Sequence, residues 1–419
     1  MTGEGSNEKL IQAHDAMRAI SNKNIVLVCL AIFLIDLLAF YWLRSITQLI
    51  NLDWLVHLIH GLFWFFTLGL ISSILILKVR LDRIHPQRKH LLITSLYGLT
   101  VSSFIPKVIF VIIISFLFFT NYVFSEQESL IVIPLVGLLS GFLPFFVIVY
   151  AIFRALYRFK IHHSRINTPL IPKGSDKIKI VHISDLHLGS FNFRYHILDR
   201  AIKIINEIEP DFIFFTGDLV NNFAWELKGW SEVFQQLHAT KGKYAVLGNH
   251  DYGDYSSWKS EDLKLKNFES IKYFYKKTGF NLLLNESERV TFGDIELGIA
   301  GVENWGHPPF PQHGDLDKSL TAIEDIHLKI LLSHDPTHWQ EKVLNKTDIL
   351  LTLSGHTHGM QAGVNLKNKQ WSPIKYKYKH WAGMHREGNQ YLNVNRGLGW
   401  LGFPGRVGMR PEISYIEIN

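Results

Sequence analysis

The chain has one cysteine, Cys29, in 419 residues. No disulfide can form within it, so the fold must rest on burial and hydrogen bonding. That usage is compatible with a reducing compartment. The sequence shows no internal repeat and no low-complexity segment. The first apolar run is long for a signal peptide and lacks a small-residue cleavage site, which argues for a retained anchor. Net charge is +6 and the pI is near 9.1, yet no basic stripe runs through the C-terminal half. Nucleic acid is therefore not an expected partner.

What is present divides sharply in two. Residues up to about 160 are dominated by Leu, Ile, Phe and Val; the remainder mixes charged and apolar segments like a soluble enzyme. Four runs, near Ile25–Leu43, Trp54–Leu77, Leu91–Phe119 and Leu130–Phe153, reach the ~20 residues that a helix needs to cross a bilayer. Loop charge sets an orientation. Lys9, Arg18 and Lys23 precede the first run, Lys78, Arg80, Arg83, Arg88 and Lys89 separate the second from the third, and Arg154, Arg158, Lys160 and Arg165 follow the fourth. The other two loops offer Arg44, and Glu126 with Glu128. Both termini are thus expected on the cytoplasmic side, in the cell inner membrane for a bacterial chain. The basic clusters also suit anionic lipid head groups. Inside the apolar runs stand Asp36 and Lys107, the latter after Pro106. Either the third helix is kinked there or residues 91–103 lie along the interface. The expected organisation is a cytoplasmic N-terminal segment (1–24), a four-helix transmembrane domain (25–160), a linker with Pro169, Pro172 and Gly174 (161–177) and a C-terminal domain (178–419).

In the C-terminal half, apolar strands (178–184, 212–215, 244–247, 329–332, 349–353) alternate with helical spacing at 194–207, 225–237 and 261–277. Short strands are expected at 281–300. This is α/β layering, with two sheets packed face to face and helices outside.

Five of the strands end in residues that carry chemistry: Asp185-Leu-His187, Gly217-Asp218, Gly248-Asn-His-Asp251, Ser333-His-Asp335 and Gly355-His-Thr-His358. Carboxylate and amide oxygens mixed with imidazoles suit Mn, Fe(II) or Zn better than Mg or Ca. Two cations about 3.5–4 Å apart need a bridging ligand, which a carboxylate can supply. Asp218 is the natural bridge. At these residues the chain resembles the calcineurin-like metallophosphoesterase superfamily, whose pattern D-x-H, G-D, G-N-H-[DE], H, G-H-x-H is present in order. Asn395-Arg-Gly-Leu-Gly399 and Arg410-Pro-Glu-Ile413 further resemble its membrane-associated YkuE/YaeI-type phosphodiesterases. The resemblance does not cover the four-helix half.

The resemblance implies a four-layer α/β/β/α metallophosphoesterase sandwich preceded by the all-α transmembrane domain. It implies one metal on Asp185, His187, Asp218 and His358, and another on Asp218, Asn249, His334 and His356. His250 would contact the phosphate, together with Asn249, and protonate the leaving oxygen, with Asp251 orienting its ring. His182, His238, His327 and His338 fall outside the pattern and read as surface or core histidines. Arg396, Arg406 and Arg410 could hold a second substrate phosphate, Arg396 being the best candidate. Lys375–Trp381 alternates charge and aromatics, as an exposed strand or a bilayer-surface segment would. Trp400–Phe403 fits either an acyl-chain contact or a core.

The resulting expectation is a membrane-anchored phosphoesterase with two divalent ions, manganese among the candidates. It would act on a phosphodiester or pyrophosphate, lipid-linked substrates such as UDP-diacylglucosamine included, with membrane lipids as further partners. The alternative is a non-catalytic scaffold or regulatory module on the same fold. Oligomeric state is left open by the sequence.

Overall fold

The computed structural model describes residues 22–80, 83–84, 86–124, 129–172, 174–192, 194–366 and 369–419. Lys9, Arg18, Glu126 and Glu128 lie outside the described residues. The chain forms two compact units: the helical residues through Phe153 with 402–405, and residues 154–401 with 406–419.

The helical unit contains α1 (Asn22–Thr47), α2 (Asp53–Arg80), α3 (Pro86–Phe124) and α4 (Ser129–Phe153). All four are long and apolar enough to cross a membrane. Their outward faces keep Phe65, Leu143 and Phe153 exposed, as expected of helices whose solvent is hydrocarbon. Pro106 lies inside α3, and residues 91–103 belong to the same helix. Gly137 and Gly141 of α4 stand against Ile114 and Phe110 of α3, a small-xxx-small spacing that lets two helices approach closely. Polar groups are tied across helices. Lys107 Nζ lies 2.8 Å from Asp36 Oδ2, and Thr67 Oγ1 donates to the same oxygen at 2.5 Å. Lys107 also sits 4.7 Å from the Phe63 ring centroid.

Among its described residues the second unit holds fourteen strands: β1 (Lys160–Ile166), β2 (Ile178–Ile183), β3 (Phe212–Thr216), β4 (Gly242–Val246), β5 (Asn281–Leu282), β6 (Glu286–Phe292), β7 (Ile295–Gly301), β8 (Leu328–Leu332), β9 (Leu351–Ser354), β10 (Val364–Leu366), β11 (Lys369–Trp371), β12 (Gly383–Glu387), β13 (Gln390–Val394) and β14 (Glu412–Ile418). They build two six-stranded sheets, ordered β1-β14-β2-β3-β4-β5 and β12-β13-β9-β8-β7-β6, and a β10–β11 hairpin. Within them β2, β3 and β4 run parallel, as do β7, β8 and β9.

The period of two along each strand sorts side chains between layers. Ile178, Ile180, Phe212 and Phe214 point between the sheets, meeting Leu297, Ile299, Ile330, Leu351 and Leu353. Val181, Ile183, Ile213 and Phe215 point outward onto α5 (His196–Glu207) and α6 (Glu261–Lys277). Each such side chain contributes about 1.5–3 kcal/mol when fully buried. On α5, Ile197, Ala201 and Ile205 recur at i, i+4 and i+8 and are buried. The cap of α6 is Ser260, whose hydroxyl accepts from the Leu263 N–H at 3.3 Å; acids in its first turn and lysines in its last suit the helix dipole. Outside the second sheet, Trp339, Val343 and Ile323 cover Ala300, Leu331 and Leu392. This is the four-layer sandwich.

Three expectations are corrected. Residues 225–237 are not one helix but a 3₁₀ turn (Ala224–Leu227) and a single α turn (Ser231–Phe234). Gly229 separates them at φ +79°, packed against the Tyr195 ring. Residues 160–166, mostly assigned to the linker, form β1 along β14; the strand is half-exposed and has little apolar alternation to betray it. Lys375–Trp381 is not a strand: Pro373–Tyr376 is a 3₁₀ turn, and the segment turns Tyr378 and Trp381 inward while its lysines stay exposed.

Candidate metal centre

The C-terminal ends of β2, β3, β4, β8 and β9 converge. They deliver Asp185 with His187, Asp218, Asn249 with His250, His334, and His356 with His358. The loops are stitched together by backbone bonds, Asp185 N to Gly217 O at 3.0 Å and Gly355 N to His334 O at 2.9 Å. Asp185, His187, Asp218, His356 and His358 all hold positive φ, between 48° and 70°. Such backbone is costly for residues with side chains and persists where surrounding structure fixes it. The glycines of the motifs make room for the donors. A Cβ at Gly248 would overlap the Asp218 carboxylate, and one at Gly355 would overlap that of Asp185.

Two donor groups result. Asp185, His187, Asp218 and His358 offer atoms within 4.8 Å of one another, and so do Asp218, His334 and His356. Asp218 belongs to both. Asn249 Oδ1 joins the second group, 3.1 Å from His334 Nε2 and 2.8 Å from His356 Nδ1. In the first group His187 Nε2 and His358 Nε2 face each other at 3.0 Å, and His358 Nε2 lies 3.3 Å from Asp185 Oδ1. Asp218 Oδ2 lies 3.5 Å from His187 Nε2 and 3.3 Å from His334 Nε2.

The outer faces of the imidazoles are held as metal-binding histidines require. His334 Nδ1 donates to the Thr216 carbonyl at 2.6 Å, leaving Nε2 inward. His356 Nε2 meets the Tyr378 hydroxyl at 2.8 Å and Asp335 Oδ2 at 3.5 Å, leaving Nδ1 inward.

Electrostatics points the same way. Burial pushes His187 down to about 3 and His356 to about 4. Burial, with the neighbouring Arg406 charge, holds His358 well below the usual imidazole range. These three rings are therefore neutral, the form a metal requires. Burial pushes Asp185 up to about 7. For Asp218, burial is outweighed by the charges of His334 and His250, which hold the carboxyl well below its usual range. Burial likewise opposes charge on His334, but Asp218 overrides it and lifts the ring to about 10. The His334 imidazolium thus stands where acceptor atoms crowd, and the mixed oxygen and nitrogen donors suit divalent cations of the Mn, Fe(II) or Zn type. The residues fit such ions.

His250 stands beside this cluster. Its Nδ1 donates to the Asn221 carbonyl at 2.7 Å, and its ring crosses His187 edge-on with centroids 4.9 Å apart. The expectation that Asp251 orients that ring is corrected. Asp251 accepts instead from the backbone N–H groups of Asp218, Leu219, Val220 and Gly248, at 2.9–3.2 Å, so it shapes the loop carrying Asp218.

Arg396 is also corrected as a phosphate contact. It is 1% exposed and pairs with Glu412 and Gln370. Arg406 is buried on the carbonyls of Gly399 and Arg396, and Arg410 bonds those of Arg158 and Phe159. Trp400 is core, 4.5 Å from the Phe191 ring. His182 and His338 are buried and hydrogen-bonded, whereas His238 and His327 are exposed. Two residues that sequence reasoning missed adjoin the donors. Tyr378 sits behind His356, hidden in the Lys–Tyr alternation, and Tyr255 stacks on His250 with no motif to announce it. A separate groove of about 750 Å³, lined by Tyr273, Phe280, Leu284 and Glu288 among others, contains none of the donors.

Known proteins resemble both units. Residues 178–360 match the calcineurin-like phosphoesterase family. Residues 21–156 match a family described as a probable calcineurin-like phosphoesterase, transmembrane domain. The uncharacterized metallophosphoesterase YkuE of Bacillus subtilis (strain 168) is 31% identical over 61% of this chain and 83% of its own length. An uncharacterized metallophosphoesterase of Helicobacter pylori is 26% identical over 93% of this chain and 96% of its own. A bovine transmembrane protein with metallophosphoesterase domain is 29% identical over 59% of this chain; the match spans about half, 54%, of that protein. With the donor set in place at the strand ends, the chain belongs to the calcineurin-like phosphoesterase family, in a membrane-associated form.

Proposed function

We propose that this chain is a dinuclear metal-dependent phosphohydrolase that cleaves a phosphodiester or pyrophosphate bond at the cytoplasmic face of a membrane. The observation that carries the reading is the buried Asp218 carboxylate shared by two donor groups. Asp185, His187, Asp218 and His358 would hold one cation, and Asp218, Asn249, His334 and His356 the other. Bound there, two divalent ions neutralise phosphoryl oxygens and make water a stronger nucleophile.

The chain's own groups do the rest. Asn249 splits its amide, with Oδ1 toward His334 and His356 and Nδ2 on the open side, bonded to Tyr255. His250 keeps its Nδ1 proton on the Asn221 carbonyl, so Nε2 is the atom that gives a proton to the leaving oxygen. The four apolar helices hold the chain at a bilayer, and the Lys/Arg bias of their loops orients it. Both support a lipid-linked substrate, with UDP-diacylglucosamine the specific compound to assay, anionic lipids as partners and manganese as the first metal to supply.

The test is hydrolysis of bis(p-nitrophenyl) phosphate and of UDP-diacylglucosamine by the full chain in detergent micelles, metal-stripped and then given Mn²⁺. Activity that returns with metal and drops in Asn249→Ala and His250→Ala supports the reading. A folded, metal-loaded chain that hydrolyses neither, nor any other phosphate ester offered, sinks it and leaves a scaffold on the same fold.

A further inference from the structure

Tyr255 lies between the 3₁₀ turn Asn249–Tyr252 and α6, outside every block of the family pattern. Three contacts fix it. Its backbone N–H donates to Asn222 Oδ1 at 3.2 Å. Its ring stacks on His250, with centroids 4.4 Å apart and planes 27° from parallel. Its hydroxyl oxygen accepts from Asn249 Nδ2 at 2.7 Å. The donor side of that hydroxyl is unspent among the described residues, because its one hydrogen bond is the one it accepts. The side chain is not buried, being 41% exposed. A phenol ordinarily titrates at about 10, so this hydroxyl carries its proton at neutral pH.

A neutral, partly exposed donor therefore stands at the edge of the donor cluster, against Asn249 and His250. It touches the amide that faces the second donor group, and its ring covers the imidazole assigned to the leaving oxygen. An anionic phosphoryl oxygen is a strong acceptor, and hydrogen bonds to ionised groups are shorter and stronger than neutral ones. We propose that Tyr255 is a substrate-contacting residue that donates its hydroxyl hydrogen to a non-bridging oxygen of the phosphoryl group held at the metal centre. The proposal rests on the phosphohydrolase reading above. It assigns two jobs to one residue: the hydroxyl binds the phosphoryl group and the ring shields His250 from water.

The probe is inorganic phosphate, titrated calorimetrically into the Mn²⁺-loaded full chain in micelles, with Mn²⁺ affinity and thermal midpoint measured separately on each variant. Tyr255→Phe keeps the ring and its stack and removes only the hydroxyl. It is expected to leave midpoint and Mn²⁺ affinity at wild-type values and to weaken phosphate binding about tenfold or more, the scale of a hydrogen bond to a charged group. Tyr255→Ala should weaken phosphate at least as much and also lower turnover by uncovering His250. Phosphate affinity within twofold of wild type in Tyr255→Phe overturns the proposal. So does a parallel fall in Mn²⁺ affinity, which would show Tyr255 acting only through Asn249. Should the wild-type, metal-loaded chain itself bind no phosphate, the phosphohydrolase reading falls and this proposal with it.

Discussion

In the helical unit Asp36 is 1% exposed, and its Oδ2 accepts from Lys107 and Thr67. In the sandwich Asp218 is 2% exposed and its Oδ2 faces the imidazoles of His187 and His334. Both are carboxylates where a charge is costly unless paired. The difference lies in the proton count around them. Lys107 brings a positive charge to Asp36, and among the described residues only Oδ1 goes without a partner. Around Asp218 the charge of His334 is set against two carboxylates, Asp218 and Asp185, while the rings of His187, His356 and His358 are held neutral, so lone pairs outnumber hydrogens. A pair that satisfies itself needs nothing more and ties helices together. A cluster short of positive charge calls for cations from outside.

The comparison breaks most visibly at Asp218 itself. Asp218→Asn removes the charge common to both donor groups, and we expect phosphodiester hydrolysis to fall by more than the ~10–100-fold typical of residues that merely support metal ligands. Chelation should, by the same logic, lower the thermal midpoint of the wild type, because ions that bind only the folded state stabilise it. An unchanged midpoint after stripping would mean that the cluster satisfies itself as Asp36 does. In the helical unit, Lys107→Leu leaves Asp36 uncompensated and should cost ~3–5 kcal/mol, the usual penalty for breaking a buried pair. Asp36→Leu with Lys107→Leu should recover most of it in thermal unfolding in micelles. Mn²⁺ affinity should be untouched in both. If the single variant is as stable as wild type, the pair ties nothing.

How far the sequence could be read follows the same division. The donors at Asp185, His187, Asp218, Asn249, His334, His356 and His358 were legible because each follows an apolar strand and is of a chemical type that binds metal. What failed was direction. Asp251 stands next to His250 in sequence, yet its carboxylate turns to four loop amides. Arg396 looked free for phosphate, yet Glu412, which pairs with it, comes from a strand sixteen residues on. β1 was invisible because its partner is the last strand of the chain. Tyr378 and Tyr255 acquire their roles through other side chains, and no local pattern encodes that. Local sequence reports what a residue can do; which neighbour it serves is set by tertiary pairing.

Tyr378 offers a finer test. Its hydroxyl meets His356 Nε2 and no other donor of the centre, so Tyr378→Phe should weaken one cation by about tenfold and leave the other unchanged in a stepwise Mn²⁺ titration. Equal weakening of both would contradict the assignment of His356 to a single donor group.

The smallest expected effect concerns a third buried carboxylate, Glu417 of β14, which repeats the Asp36 solution at the surface of the sandwich. It is held by Lys177, Arg165 and His163 and by the Tyr415 hydroxyl. The Lys177 hydrogen bond leads in drawing its carboxyl down to about 2, against a partial opposing cost of burial. Its folded pKa lies below the unfolded value of 4.5, so the stabilisation is complete above about pH 4.5 and is lost as the pH falls toward 2. Because Arg165 and Lys177 are 67% and 47% exposed, screening keeps the contribution to about 1 kcal/mol. Glu417→Gln should therefore lower stability by about that much at pH 7, and the gap to wild type should close as the solution is acidified. A gap that stays constant down to pH 2 would show that Glu417 works by packing alone, and would remove it from the set of charges that settle their own account.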